Sequence, residues 1–124
     1  MQFLLLIYID EGLIKDLPAD EYDRMMRGCI QHADRLEAEG TLVLAQRLEP
    51  VQQARTLRTR DAQSRITDGP FAETRELLAG FNLINAPNHD EAMRIAQQFP
   101  WSRYGSIEVR PVADMDAERQ RVGA

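Results

Sequence analysis

A chain of 124 residues, 44% hydrophobic and 28% charged, has room for one domain built around one core. Its net charge of −5 argues against a non-specific nucleic-acid binder, since phosphate contact needs a basic surface. The lone Cys29 excludes an intrachain disulfide, and a single lysine, Lys15, against fourteen arginines leaves Schiff-base chemistry one candidate amine.

The opening stretch MQFLLLIYIDEG has an apolar run of about seven residues without a basic flank or a small-residue cleavage site. It is too short to span a bilayer and is unlike a secretory leader. With the solitary cysteine suited to a reducing compartment, the expectation is a cytoplasmic protein. Residues 2–9 are apolar on both alternating sets: Phe3, Leu5, Ile7 and Ile9 on one, Leu4, Leu6 and Tyr8 on the other. A strand of that kind is covered on both faces.

A helix follows. Pro18 suits a first turn, Asp20, Glu21 and Asp23 suit its positive end, and Gly40 closes it. Tyr22, Met25, Met26, Cys29, Ala33 and Leu36 form its apolar stripe. Residues 41–48 read as a strand stopped by Pro50, and residues 54–67 as two short strands about a turn at 61–63. GFNLINA (80–86) is a further strand. Asn88 with Glu91 three residues on makes a capping box for a second helix, along which Ala92, Met93, Ala96 and Phe99 face one way until Pro100. SIEVRPV (106–112) is a strand with one wet face, at an edge or strand end because of Pro111. Residues 113–124 read as a polar, frayed tail.

The order strand, helix, strand, inserted hairpin, strand, helix, strand fits a ferredoxin-like split β-α-β protomer in the α+β class, with an antiparallel sheet and both helices on one face. Two helices cover one face only, while the first strand is apolar on both. A second copy of the sheet is the simplest cover, so the patterning predicts a homodimer.

MQFLLLIY, DGPFAETRE, GFNLI and SIEVRPV together resemble the DGPF subgroup of the YCII-related proteins, over roughly residues 1–112. The resemblance implies a dimeric α+β barrel in a small bacterial protein of mostly unassigned activity, some of whose relatives carry labels linking them to transcription initiation or alternative sigma factors. The wider group includes members with a proposed His–Asp pair, the histidine on the first helix. Here that neighbourhood holds Gly28 and Cys29, and His32 lies about a turn further on; the matching acid is Asp68.

Asp68-Gly69-Pro70-Phe71 admits two accounts. In one, Asp68 accepts backbone N–H groups, Gly69 takes unusual dihedrals, Pro70 stiffens the turn and Phe71 anchors it in the core. In the other, the same rigid loop presents Asp68 as acid or base at the mouth of a cleft, where it would be partly desolvated. Glu73 and Glu76 would share a face on a helical turn and either split into acid and base or pair with arginine. Tyr8 and Arg110, from the first and last strands, are candidates to orient an anionic ligand, or else pack and pair structurally. Phe71, Glu73 and Glu76 complete the candidate ligand-binding set.

Arg55, Arg58, Arg60 and Arg65 load the hairpin with charge, suited to phosphate or carboxylate or simply to a solvated edge. His32 flanks the apolar stripe with the interface in reach, His89 starts the second helix, and neither has ligand spacing, so no metal is expected. Cys29 on an apolar face behaves as a small hydrophobe. No cofactor motif is present. Two functions stay open: a small-molecule binder or cofactor-free enzyme with a cleft near the Asp68 loop, or a non-catalytic regulatory or interaction protein touching the transcription apparatus.

Overall fold

The computed structural model describes residues 1–124. Six strands and four helices run in the order β1 (Gln2–Asp10), α1 (Glu11–Ile14), α2 (Ala19–Ala38), β2 (Leu42–Arg47), β3 (Arg55–Arg60), β4 (Gln63–Asp68), β5 (Glu76–Asn85), α3 (His89–Gln97), β6 (Gly105–Pro111) and α4 (Met115–Val122). Strands β2-β5-β1-β6 form one antiparallel sheet and β3-β4 a separate hairpin. No helix is long and apolar enough to cross a membrane.

The two alternating sets of β1 meet different fates. Phe3 and Leu5 face α2 and α3 and are fully buried, with Ile84 of β5 beside them and Leu36, Ala92, Ile95, Ala96 and Phe99 closing the core from the helices. Each large apolar side chain removed from water in this way contributes about 2 kcal/mol. His32 belongs to this core: its Nε2 lies 3.2 Å from the Ile95 carbonyl and its ring meets Phe99 edge-on, so it joins α2 to α3. It is 3% exposed, so its ring is spent inside the protein and is not free to reach a partner copy, as the sequence suggested it could.

That other side is open. Leu4, Leu6 and Tyr8 of β1 stand beside Leu83, Phe81 and Leu78 of β5, and all are at least partly exposed. Arg110, Glu108 and Ser106 of β6 flank them. Two irregularities tune the sheet: Val43 is extra on β2 and Ala79 extra on β5. The Ala79 carbonyl, freed from the β1 ladder, accepts the Leu48 N–H at 2.7 Å. Such a bulge sharpens the local twist where Tyr8 and Asp10 turn toward the hairpin.

Several expectations need correction. β5 begins at Glu76, four residues before the expected strand, so Glu73 and Glu76 do not share a helical turn; the paired strand Tyr8–Asp10 captures 76–78 into the ladder. Phe71 is not a core anchor but 76% exposed, because its loop lies on the side of the sheet that no helix covers, along the wall of an open cleft. The tail is not frayed: Asp114 caps α4 through the Asp116 N–H, and Gly123, with positive φ, ends it.

Candidate functional site

A cleft of about 1480 Å³ opens where the bare sheet face meets the hairpin and the Gly69–Arg75 loop. Its floor is the end of the sheet: Tyr8 and Asp10 from β1, Glu76 and Leu78 from β5, Ser106 and Glu108 from β6. Strand alternation places Tyr8 and Asp10 on one face, and the register sets Asp10 opposite Glu76 and Tyr8 opposite Ser106. The hairpin side contributes Arg55, Leu57 and Phe71.

The polar groups form a connected set. Asp10 is only 8% exposed; its Oδ1 accepts the Gly12 N–H at 2.9 Å and its Oδ2 the Arg75 Nε–H at 3.1 Å. A carboxylate with that little solvent needs such donors. Ser106 Oγ donates to Glu76 Oε1 at 2.8 Å, and the Tyr8 hydroxyl reaches Glu108 Oε1 at 3.5 Å. Acids outnumber cations on the lining, with Asp10, Glu49, Glu76 and Glu108 against Arg55 and Arg75. Such a surface suits a neutral or cationic ligand rich in hydroxyl or N–H donors. The acids do not converge into a metal-ligand cluster.

Of the residues expected from the sequence, Tyr8, Phe71 and Glu76 line this cleft. Glu73 is exposed off the wall, and Arg110 stands on the open face beside Leu4, away from the cleft. Asp68 ends β4 with its side chain 95% exposed, 3.9 Å from Arg55 across the hairpin. In the protomer it is not desolvated, and no backbone N–H group is bonded to its carboxylate. The loop is held by other atoms: Gly69, at φ +97°, donates to the Ala54 carbonyl at 2.7 Å, Thr56 Oγ1 donates to the Gly69 carbonyl, and Arg58 to that of Phe71. Arg58, Arg60 and Arg65 share one hairpin face.

Asp10 escaped the sequence reading. The signal was present: an acid at the end of an apolar strand, on the same alternation as Tyr8 and two residues before Gly12. Cys29, on α2 beside the Pro100–Arg103 turn, has its thiol pKa raised by burial, a rise partly offset by a hydrogen bond with the Trp101 backbone.

Comparison with known proteins adds three findings. The model of the YCII-related domain matches residues 1–116. An uncharacterized protein of Rhizobium meliloti (strain 1021) is 36% identical over 115 residues, covering 91% of this chain and 93% of the relative. Among solved structures, 5-chloro-2-hydroxyhydroquinone dehydrochlorinase from Burkholderia phenoliruptrix AC1100, in complex with 2,5-dihydroxybenzoquinone, is similar with a TM-score of 0.50 over 91% of this chain and 94% of that one. Identity to it is 15%, so the likeness concerns the fold.

Proposed function

The chain belongs to the YCII-related family, and on that premise we propose that it works as a homodimeric α+β barrel that binds a small organic molecule in the cleft beneath the hairpin. The observation that carries this reading is Asp10: a carboxylate 8% exposed, fixed by Arg75 and the Gly12 N–H, beside Tyr8 and Glu76 on a cleft wall. A held acceptor of this sort orients a ligand O–H or N–H and can take its proton without any bound cofactor.

The dimer is supported by what each protomer leaves bare. Leu4, Leu6, Phe81 and Leu83 form an apolar stripe on the open sheet face. On the hairpin the cross-strand pair Leu57 and Ile66 is 65% and 62% exposed. Apolar surface of that extent favours a partner, and a second copy offers the same stripe. Asp68 enters this reading as a second acid, which becomes an effective acid/base only when a partner subunit takes it out of water.

The test is a thermal-shift screen of phenols, polyols, amides and small acids on wild type, Asp10→Asn and Asp68→Asn. Compounds that raise Tm in wild type and lose the effect in Asp10→Asn are the expected result. Loss in Asp68→Asn instead moves the acid to the hairpin. Hits indifferent to both substitutions, or none at all, overturn the reading.

A further inference from the structure

On the helix side of the sheet an open groove of about 200 Å³ runs between α2 and the β2–β5 pair. It is smaller than drug-sized sites and has room for a ligand of one ring. Met26, Ile30 and Ala33 line it from α2, and Ala45, Gly80 and Asn82 from β2 and β5. It shares no residue with the cleft that holds Asp10, and no acid lines it. Arg47, its one charged lining residue, donates to the Tyr22 hydroxyl at 3.2 Å.

Asn82 lies in β5 opposite Leu5 of β1 and Ala45 of β2. Its side chain therefore projects to the helix side, as that of the fully buried Leu5 does. Asn82 is only 5% exposed, yet its carboxamide makes no hydrogen bond within the protein. The one side-chain polar atom that is both sealed and unbonded is Trp101 Nε1. The unbonded Asn82 amide is thus not sealed, and the small area it keeps opens on the groove. A carboxamide brings one acceptor oxygen and two N–H donors. Left unpaired in an apolar wall, it costs stability that a leucine there would not, and the fold gains no bond from it.

We propose that this groove is a binding site for a small cyclic cis-amide, a lactam or imide. Its N–H donates to Asn82 Oδ1 and its carbonyl accepts from Asn82 Nδ2, the paired geometry of two amides side by side. The ring packs on Met26, Ile30 and Ala33, which gives cover to an Ile30 that is 54% exposed. A cis-amide sets donor and acceptor next to each other as a carboxamide does. An anion lacks the donor, an ammonium lacks the acceptor, and both would surrender hydration to apolar walls.

The test titrates 2-piperidone into the uniformly ¹⁵N-labelled full chain and follows the Asn82 side-chain NH₂ peaks, assigned by their disappearance in Asn82→Leu. A saturable shift of these peaks is expected. N-methyl-2-piperidone, which keeps the ring and carbonyl but has no N–H, is expected to bind about tenfold more weakly, the loss of one hydrogen bond. Ala45→Leu fills the groove from an exposed strand and is expected to abolish the shift with Asn82 in place. Asp10→Asn leaves the titration unchanged, which separates this site from the function proposed for the first cleft. Asn82→Leu, with the same branching and heavy-atom count, is expected to hold or raise Tm. Peaks that never shift (a carboxamide that only holds water) overturn the proposal. Equal affinity for the two lactams, or a Tm lowered in Asn82→Leu because the amide is spent inside the fold, overturns it too.

Discussion

Asp10 and Glu76 stand opposite one another at the ends of β1 and β5, two carboxylates on one cleft wall, but only Asp10 is buried and ion-paired. Glu76 is satisfied by the Ser106 hydroxyl. Because Arg75 is mostly exposed, its pairing with Asp10 is screened. Arg75→Gln is therefore expected to cost about 0.5 kcal/mol. Asp10→Ala removes the same pair and the cap of α1, and is expected to cost about 1–2 kcal/mol. Urea unfolding measures both; equal losses would show that the Gly12 N–H contributes nothing.

Phe81 sits mid-sheet on the open face, between Leu6 of β1 and Gln46 of β2. A carboxylate there cannot be buried between two apolar sheets without a cation. Phe81→Glu is expected to convert a dimeric wild type into a monomer in native mass spectrometry at micromolar concentration, with the circular dichroism retained. A wild type that is already monomeric removes the dimer from the reading.

Gly105 faces Ile9 so closely that an added Cβ would overlap the Tyr8 carbonyl oxygen, whereas at Gly28 it would come 3.1 Å from the flexible ring of Pro100. Gly105→Ala must push β6 off β1 and is expected to destabilise by about 3 kcal/mol. Gly28→Ala, in mid-helix, recovers about 1 kcal/mol of helix propensity against that mild crowding and is expected to stay near neutral. Chemical denaturation of the pair tests the contrast.

Cys29 is expected to alkylate slowly at neutral pH, because burial holds its thiol protonated beyond the ordinary range. The sign for stability follows: a raised folded pKa gives stabilisation that is complete below the unfolded thiol's pKa and lost as pH climbs through the folded one. Iodoacetamide rates from neutral to alkaline pH, against a cysteine peptide, check the first point. Cys29→Ala should flatten part of the alkaline loss of stability. A peptide-like rate at neutral pH would refute the picture.

Asn88 caps α3 by accepting the Glu91 N–H at 2.8 Å, and Glu91 in turn pairs with Arg94. Asn88→Ala is expected to cost about 1 kcal/mol. Arg94→Ala, an exposed helical pair, is expected to cost a few tenths of that. Thermal unfolding distinguishes them.

What could be read from the chain was what depends on periodicity and end signals. The double apolar pattern of β1, the Asn88–Glu91 capping pattern and the proline stops all correspond to elements of the fold. Glu76–Ala79 was missed because ELLA carries no β-branched residue, and only the ladder to Tyr8–Asp10 makes it a strand. Phe71 misled because an aromatic beside proline suggests an anchor, while its surroundings depend on chain segments far away. Asp10 was invisible as a site because its partner Arg75 is 65 residues distant. Local pattern predicts elements; it does not predict which loop returns to which strand end.

The β3-β4 hairpin shares no ladder with the four-stranded sheet and is bound internally by its own bonds from Thr59 to Ser64 and from Gly69 to Ala54. Lengthening or trimming this lobe at its Asp61–Ala62 tip therefore leaves every rung of the main sheet in place. Evolution can exchange such an appendage and change what the molecule admits, while the sheet and helices that hold the core are inherited untouched.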